Sequence, residues 1–205
     1  MLKKKIGLIN YNAGNIYSIK KTFEYLGYEV SILENINKLK DINYLVLPGV
    51  GSFGHCVKQL LKNFSIPIFK KIILKDKIPL LCICVGMQML GNISEESIEL
   101  NGLEIFNYNI SKMKEKNHFK IPHVGWNDVI LKKNFGNFKK NYKYDFYFDH
   151  SYIVKEDVFC IGSSTHTEKF SSIIHNKNIL ACQFHPEKSQ ENGINFLKTF
   201  VDFYA

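Results

Sequence analysis

The first chemical signal lies in Pro79-Leu80-Leu81-Cys82-Ile83-Cys84-Val85-Gly86-Met87-Gln88-Met89-Leu90. Apolar residues run to Cys84, a glycine follows two residues later, and helix-compatible residues come next. This is the layout of a buried strand that turns sharply into a helix with a nucleophile at the corner. The amides past the corner belong to a helix N-terminus and favour negative charge, which promotes a thiolate and prepares an oxyanion site. The same run also reads as a buried strand holding two small apolar cysteines, because free Cys is commonly core. On this stretch alone both readings stand.

A cysteine nucleophile needs a base to take its proton and return it to a leaving amine. The base in turn needs an acceptor that fixes its tautomer. Gln183-Phe184-His185-Pro186-Glu187-Lys188 supplies both, with His185 at a strand end and Glu187 two residues on. Pro186 favours an extended backbone at His185. Six further histidines, His55, His118, His123, His150, His166 and His175, read as structural or surface residues. His150 is the serious rival, since Asp149-His150-Ser151-Tyr152 also follows a strand. The loop Pro48-Gly49-Val50-Gly51-Ser52-Phe53-Gly54 could aim backbone amides at an anion, because glycine permits close backbone approach; by itself it also reads as a plain strand-to-helix turn.

The elements that must hold these residues follow from hydrophobic pattern. Strands are expected at 5–11, 28–33, 44–47 and 79–84, and helices at 16–26, 56–61 and 67–75, with Gly27 closing the first helix. That succession predicts an α/β fold with a parallel sheet flanked by helices, whose working residues gather beyond the strands' carboxyl ends. After Gly102 the texture changes to antiparallel strands at 128–131, 144–148, 159–163, 171–174 and 179–184. Asn176-Lys177-Asn178 is a hairpin turn, and 189–204 is a closing helix. No linker or repeat divides the 205 residues, so one domain spanning 1–205 is expected.

Composition narrows the class. Apolar residues make up 45% and charged residues 22%, ordinary for a globular chain. No apolar run reaches membrane-spanning length, and Met1-Leu2-Lys3-Lys4-Lys5 leads straight into a strand, so a cytoplasmic protein without membrane attachment is expected. The five cysteines are odd in number and lie mostly in apolar runs, which argues for reduced thiols; Cys82 and Cys84 form a lone C-x-C without a second metal-ligand pair. The net charge of +8 is mostly lysine. Its densest clusters, 112–120 and 132–143, lack the regularly placed Arg and stacking aromatics of a nucleic-acid groove.

With these residues assembled, Cys84-x-Gly86-Met87-Gln88, Pro48-Gly49-Val50-Gly51 and Phe184-His185-Pro186-Glu187-Lys188-Ser189 resemble the class I, triad-type glutamine amidotransferases. Asn10-Tyr11-Asn12-Ala13-Gly14-Asn15, Ile121-Pro122-His123-Val124-Gly125-Trp126-Asn127 and Tyr147-Phe148-Asp149-His150-Ser151-Tyr152 narrow the resemblance to the glutaminase subunits of imidazole glycerol phosphate synthases. It runs from end to end and implies the flavodoxin-like amidotransferase fold. It also implies that Cys84 attacks the side-chain amide of glutamine, that His185 serves as base then acid, and that Glu187 orients it. Backbone amides of Gly49, Val50, Gly51 and Val85 would hold the oxyanion, and Gln88, Ser151 and Tyr152 would bind glutamine. Asn12, Asn15, Trp126, Tyr147 and Lys188 would face a (β/α)8-barrel cyclase partner, which takes the ammonia to make imidazole glycerol phosphate and an aminoimidazole carboxamide ribonucleotide in histidine biosynthesis. No cofactor or metal is implied. Trp126 is read as part of a polar loop, with a core anchor as the lesser alternative.

Two positions depart from the family pattern: Cys82 where glycine is usual, and Asp149 where an apolar residue is common. Three other functions share the pattern in part. A paralogous glutaminase could feed ammonia to a sugar-modifying enzyme. A silent interaction module would not need Cys84, His185 and Glu187 together, and a generic Cys hydrolase would not need Gln88 and the glycine loop.

Overall fold

A computed structural model describes residues 4–35, 42–116, 119–155 and 157–205. His118 and the basic start Met1-Leu2-Lys3 lie outside the described residues. Along the chain come β1 (Lys5–Ile9), α1 (Ile16–Tyr25), β2 (Glu29–Leu33), β3 (Tyr44–Leu47), α2 (Phe53–Asn63), α3 (Ile66–Leu74), β4 (Leu80–Ile83) and the short α4 (Val85–Met89). There follow β5 (Ile93–Ser94), β6 (Ser97–Asn101), β7 (Ile110–Lys112), β8 (His123–Leu131), β9 (Lys143–His150) and β10 (Tyr152–Val154). The chain ends with β11 (Cys160–Thr165), β12 (Lys169–Asn176), β13 (Ile179–Cys182), a 3-10 turn (Pro186–Lys188) and α5 (Gln190–Phe203).

Nine strands form one sheet in the order β2-β1-β3-β4-β13-β12-β11-β8-β9. The first five are mutually parallel, in the 2-1-3-4-5 order of flavodoxin-like sheets with β13 in fifth place. The remaining pairs are antiparallel. β3, β4 and β13 are buried at every residue, as strands covered on both faces must be, and their apolar sequences YLVL, LLCI and ILAC supply the surface. β13 is reached through a tight hairpin from β12, in which Asn176 pairs with Ile179. Lys177 takes the left-handed conformation there (φ 53°).

The α1 boundary shows how local sequence sets an element's end. Gly27, at φ 88°, donates to the Glu24 carbonyl while Tyr28 donates to the Phe23 carbonyl. That is the paired closure a glycine in the left-handed region allows.

Three parts of the fold differ from the sequence expectation. The strand expected among the antiparallel ones at 179–184 is β13, antiparallel to β12 but parallel to β4, so it completes the parallel half. A second sheet, β10-β7-β5-β6, stands apart from the main one; its strands are two to five residues long and mostly solvated, too short to show a period. The strand expected from Asp128 starts at His123, so Trp126 lies on β8 and not in a loop. β8 pairs with the edge strand β9 in a two-stranded extension whose outer positions stay wet, and this removes the apolar alternation.

Candidate active site

Three neighbouring strands, β3, β4 and β13, release their chains at the same edge of the sheet. From them come the glycine loop at 48–51, Cys84, and the segment 183–187. This is why residues a hundred positions apart meet: the Cys84 amide donates to the Cys182 carbonyl at 2.8 Å. Cys84 itself has φ 53° and ψ −112°, a strained corner for a residue with a side chain. Two glycines make the corner possible. A Cβ on Gly86 would collide with the Leu47 carbonyl oxygen, and one on Gly49 would lie 2.5 Å from the Gly86 nitrogen. Loop and elbow thus touch backbone to backbone. Val85, first residue of α4, has no carbonyl four residues back within the helix, so its N–H is free of helical partners.

At the end of β13, alternation does the placing. Phe184 goes inward, fully buried and stacked on Phe146 at 3.8 Å between ring centroids. Its neighbours Gln183 and His185 turn the opposite way, toward Cys84. His185 Nδ1 lies 2.9 Å from Glu187 Oε1, with both side chains almost wholly removed from solvent. That contact leaves the other ring nitrogen free of Glu187, and His185 and Cys84 line the same cleft. Burial opposes a charge on His185, but Cys84 and Glu187 outweigh it and push the imidazole up to about 10. A thiolate–imidazolium pair held by a carboxylate can attack a carbonyl carbon and protonate a leaving nitrogen.

The pair opens on a cleft of about 350 Å³, at the small end for ligand sites, whose walls include Val50, Gly51, Gln88, Ser151 and Tyr152. The glutamine amidotransferase class-I family model matches residues 7–203. HisH, a subunit of imidazole glycerol phosphate synthase, from Methanocaldococcus jannaschii is 43% identical over 202 residues, covering 96% of this chain and 98% of that one. HisH 1 from Campylobacter jejuni is 40% identical over 198 residues, with the same coverage. The chain belongs to the class-I glutamine amidotransferases, among the HisH subunits. The fold likeness extends further: a glutamine amidotransferase crystal structure superposes with TM-score 0.75 at 14% identity over 97% of this chain and 98% of that one. The PurLQS structure from Thermotoga maritima superposes with TM-score 0.77 at 18% identity over the whole of both chains.

Against that family pattern, the residues fall as follows. Gln88 is buried, not a helix-surface residue; its Nε2 donates to the Tyr152 carbonyl and to Gln183 Oε1, each at 3.1 Å. Gln183 in turn points its Nε2 at Cys84 Sγ, 3.6 Å away. Gln183 was not singled out from sequence, though it stands in the segment quoted for His185. A second omission is Glu96, the carboxylate that reaches the cleft from the second sheet. Its Oε2 accepts from the Phe53 amide at the start of α2, at 2.7 Å. The available signal was an acidic pair, Glu95-Glu96, following a stretch from Pro79 to Ser94 that carries no charge.

His150, the rival base, lines the cleft but has neither nitrogen to spare. Nδ1 contacts the Tyr152 carbonyl and Nε2 contacts His123 Nδ1, both at 3.0 Å. The carbonyl requires a proton on Nδ1, so Nε2 accepts from His123, whose Nε2 accepts in turn from Asn127 at 3.2 Å. Burial foremost, then the neighbouring histidines, pulls His150 down to about 3 and keeps it neutral. His55 is exposed on α2, His166 stacks on His123, and His175 bonds within the β12–β13 hairpin.

Four of the five residues assigned to a docking face form one surface beside His185–Glu187. Asn15 Nδ2 donates to Glu187 Oε1 at 3.3 Å. Lys188 Nζ stands 5.3 Å over the Tyr147 ring, and Tyr147 meets Trp126 edge-on. Trp126 is 49% exposed and so is no core anchor. Asn12 is exposed on the same β1–α1 loop as Asn15. All five cysteines are unpaired and buried. No helix among the described residues is long and apolar enough to cross a membrane.

Proposed function

We propose that this chain is a cytoplasmic, single-domain glutaminase subunit that hydrolyses glutamine to glutamate and passes ammonia to a cyclase subunit of (β/α)8-barrel form. The observation that carries the reading is the 2.9 Å His185–Glu187 contact beside Cys84, at the meeting of three strand ends. The Cys84 thiolate attacks the side-chain amide carbon, and the oxyanion rests on amides of the Gly49–Gly51 loop and Val85. His185 gives its proton to the departing nitrogen, releasing ammonia and leaving a glutamyl thioester. It then takes a proton from water, which cleaves the thioester and regenerates the thiolate. Glu187 keeps the imidazole oriented throughout. Gln88, Ser151 and Tyr152 shape the glutamine site, and the Glu96 carboxylate pairs with the substrate's α-ammonium group. Asn12, Asn15, Trp126, Tyr147 and Lys188 meet the partner.

Relatives at about 40% identity over nearly the whole chain carry the imidazole glycerol phosphate synthase name. This favours imidazole glycerol phosphate and an aminoimidazole carboxamide ribonucleotide as the products over a sugar acceptor. The test is Cys84→Ala in the complex with the cyclase subunit. Glutamine-dependent synthesis is expected to vanish while added ammonium still supports turnover; retained glutaminase activity in the variant refutes the reading.

A further inference from the structure

Tyr11 and Cys56 are both fully buried, take no part in the chemistry above, and meet at the glycine loop. The Tyr11 hydroxyl donates to the Pro48 carbonyl oxygen at 2.5 Å. Cys56 Sγ is placed to donate to the Val50 carbonyl oxygen at 3.5 Å. Tyr11 comes from the loop just past β1 and Cys56 from the first turns of α2, so two separate segments grip one loop.

The two carbonyls gripped are alternate ones. Each belongs to a planar trans peptide whose N–H is that of Gly49 or Gly51. Within such a peptide C=O and N–H point in opposite directions, so fixing the carbonyl fixes the heading of the following amide. The loop needs this help. Gly51, at φ 98° and with nothing near the place of a Cβ, has no side chain to hold it, and glycine backbone reorients readily. Both holders keep their protons at neutral pH. Burial pushes the Cys56 thiol up to about 11, and burial likewise raises Tyr11.

We propose that Tyr11 and Cys56 are positioning residues that set the direction of the oxyanion-loop amides over Cys84. The proposal rests on the glutaminase reading of the site. Removing an oxyanion donor outright costs roughly 10²–10³ in kcat, so loosening one that is still present is expected to cost about tenfold.

The experiment compares Tyr11→Phe, Cys56→Ala, Cys56→Ser and Cys84→Ala with the wild-type full chain, each assembled with the cyclase subunit. Tyr11→Phe and Cys56→Ala are expected to lower kcat about tenfold with KM for glutamine roughly unchanged, the pattern of a lost transition-state interaction. Alkylation of Cys84 by iodoacetamide, which needs the thiolate but no oxyanion site, should proceed at the wild-type rate. Cys56→Ser, whose hydroxyl can still donate to Val50, should recover most of what Cys56→Ala loses. Wild-type kcat in both deletion variants overturns the proposal, as does a kcat loss matched by an equal loss of alkylation. If Tyr11→Phe does not fold, the Cys56 pair decides the matter alone. Turnover that survives Cys84→Ala defeats the glutaminase reading itself; turnover that needs Cys84 but ignores Tyr11 and Cys56 defeats only the clamp.

Discussion

Glu187→Gln is the sharpest probe of the site, because it removes one charge and almost no volume. In the native protein the Glu187 side chain is fully buried, and Oε1 accepts from His185 at 2.9 Å and from Asn15 at 3.3 Å. Oε2 has no partner among the described residues, so a glutamine amide nitrogen in its place gains no compensating bond. A hydrogen bond to a charged group is worth about 1.5–3 kcal/mol, and at 1.36 kcal/mol per unit its loss lowers the imidazole by roughly one to two pH units. Burial works against the imidazolium, and Cys84 and Glu187 together hold His185 at about 10. The sign follows: the proton that His185 delivers is present below about 10 and lost above it, so kcat/KM for glutamine should decline on the alkaline side there. With Glu187→Gln that alkaline limb should move down to about 8–9. The assay is glutamate release by the complex across pH 6 to 11 in roughly half-unit steps, with circular dichroism confirming the fold at each step. An alkaline limb that stays in place, or moves upward, refutes the assignment of Glu187 as the group that holds the imidazolium.

Two further variants test other parts of the site. Glu96→Gln removes the carboxylate proposed for the substrate's α-ammonium and should raise KM for glutamine by about 10- to 100-fold with a smaller effect on kcat, since a charge-assisted bond of roughly 1.5–3 kcal/mol is lost; a normal KM in steady-state kinetics removes Glu96 from the ligand site. Gly86→Ala drives a Cβ into the Leu47 carbonyl, a backbone neighbour that cannot yield without opening the β3–β4 edge. It should lower the urea midpoint and abolish labelling of Cys84 by 6-diazo-5-oxo-norleucine; a variant with wild-type midpoint and labelling shows that the close approach is not needed.

Much of the parallel half of the sheet was legible because burial on both faces leaves an unbroken apolar run, and YLVL and LLCI are such runs between turn residues; ILAC was read into the antiparallel half, because its hairpin from β12 gives no sign that its other side pairs parallel with β4. His185 and Glu187 were legible for a related reason, since a polar Gln183-Phe184-His185-Pro186-Glu187 at the end of such a run must leave the sheet at its working edge. What stayed hidden depends on contacts between distant segments. Glu96 belongs to a sheet whose strands are too short to carry a period, and its approach to the cleft is set by the amide of Phe53, 43 residues earlier. The neutrality of His150 was equally out of reach, because it comes from His123 and the Tyr152 carbonyl closing both ring nitrogens. Trp126 was misplaced because β8 begins with exposed and polar residues on a two-stranded extension, where alternation has no core to answer to.

Cys82 and Cys84 show how one strand gives two thiols opposite fates. Residues two apart on a strand share a face, so a regular β4 would bury both sulfurs alike. Cys82 obeys that rule. It pairs with Leu47 on one side and Ala181 on the other, is fully enclosed, and burial alone drives its thiol well above the usual cysteine range. Such a sulfur stays protonated and behaves as a small apolar side chain. The side chain it adds where the family usually has glycine is accommodated between strand neighbours of which one, Ala181, is itself small. Cys84 is buried too, but it lines the cleft beside His185 because its backbone leaves the strand at φ 53°, a step that glycines at 49 and 86 allow by letting loop and elbow close up. The cysteine proposed as nucleophile is therefore singled out by backbone geometry, and the substitution at Cys82 leaves that geometry intact because it lies one full pleat before the turn.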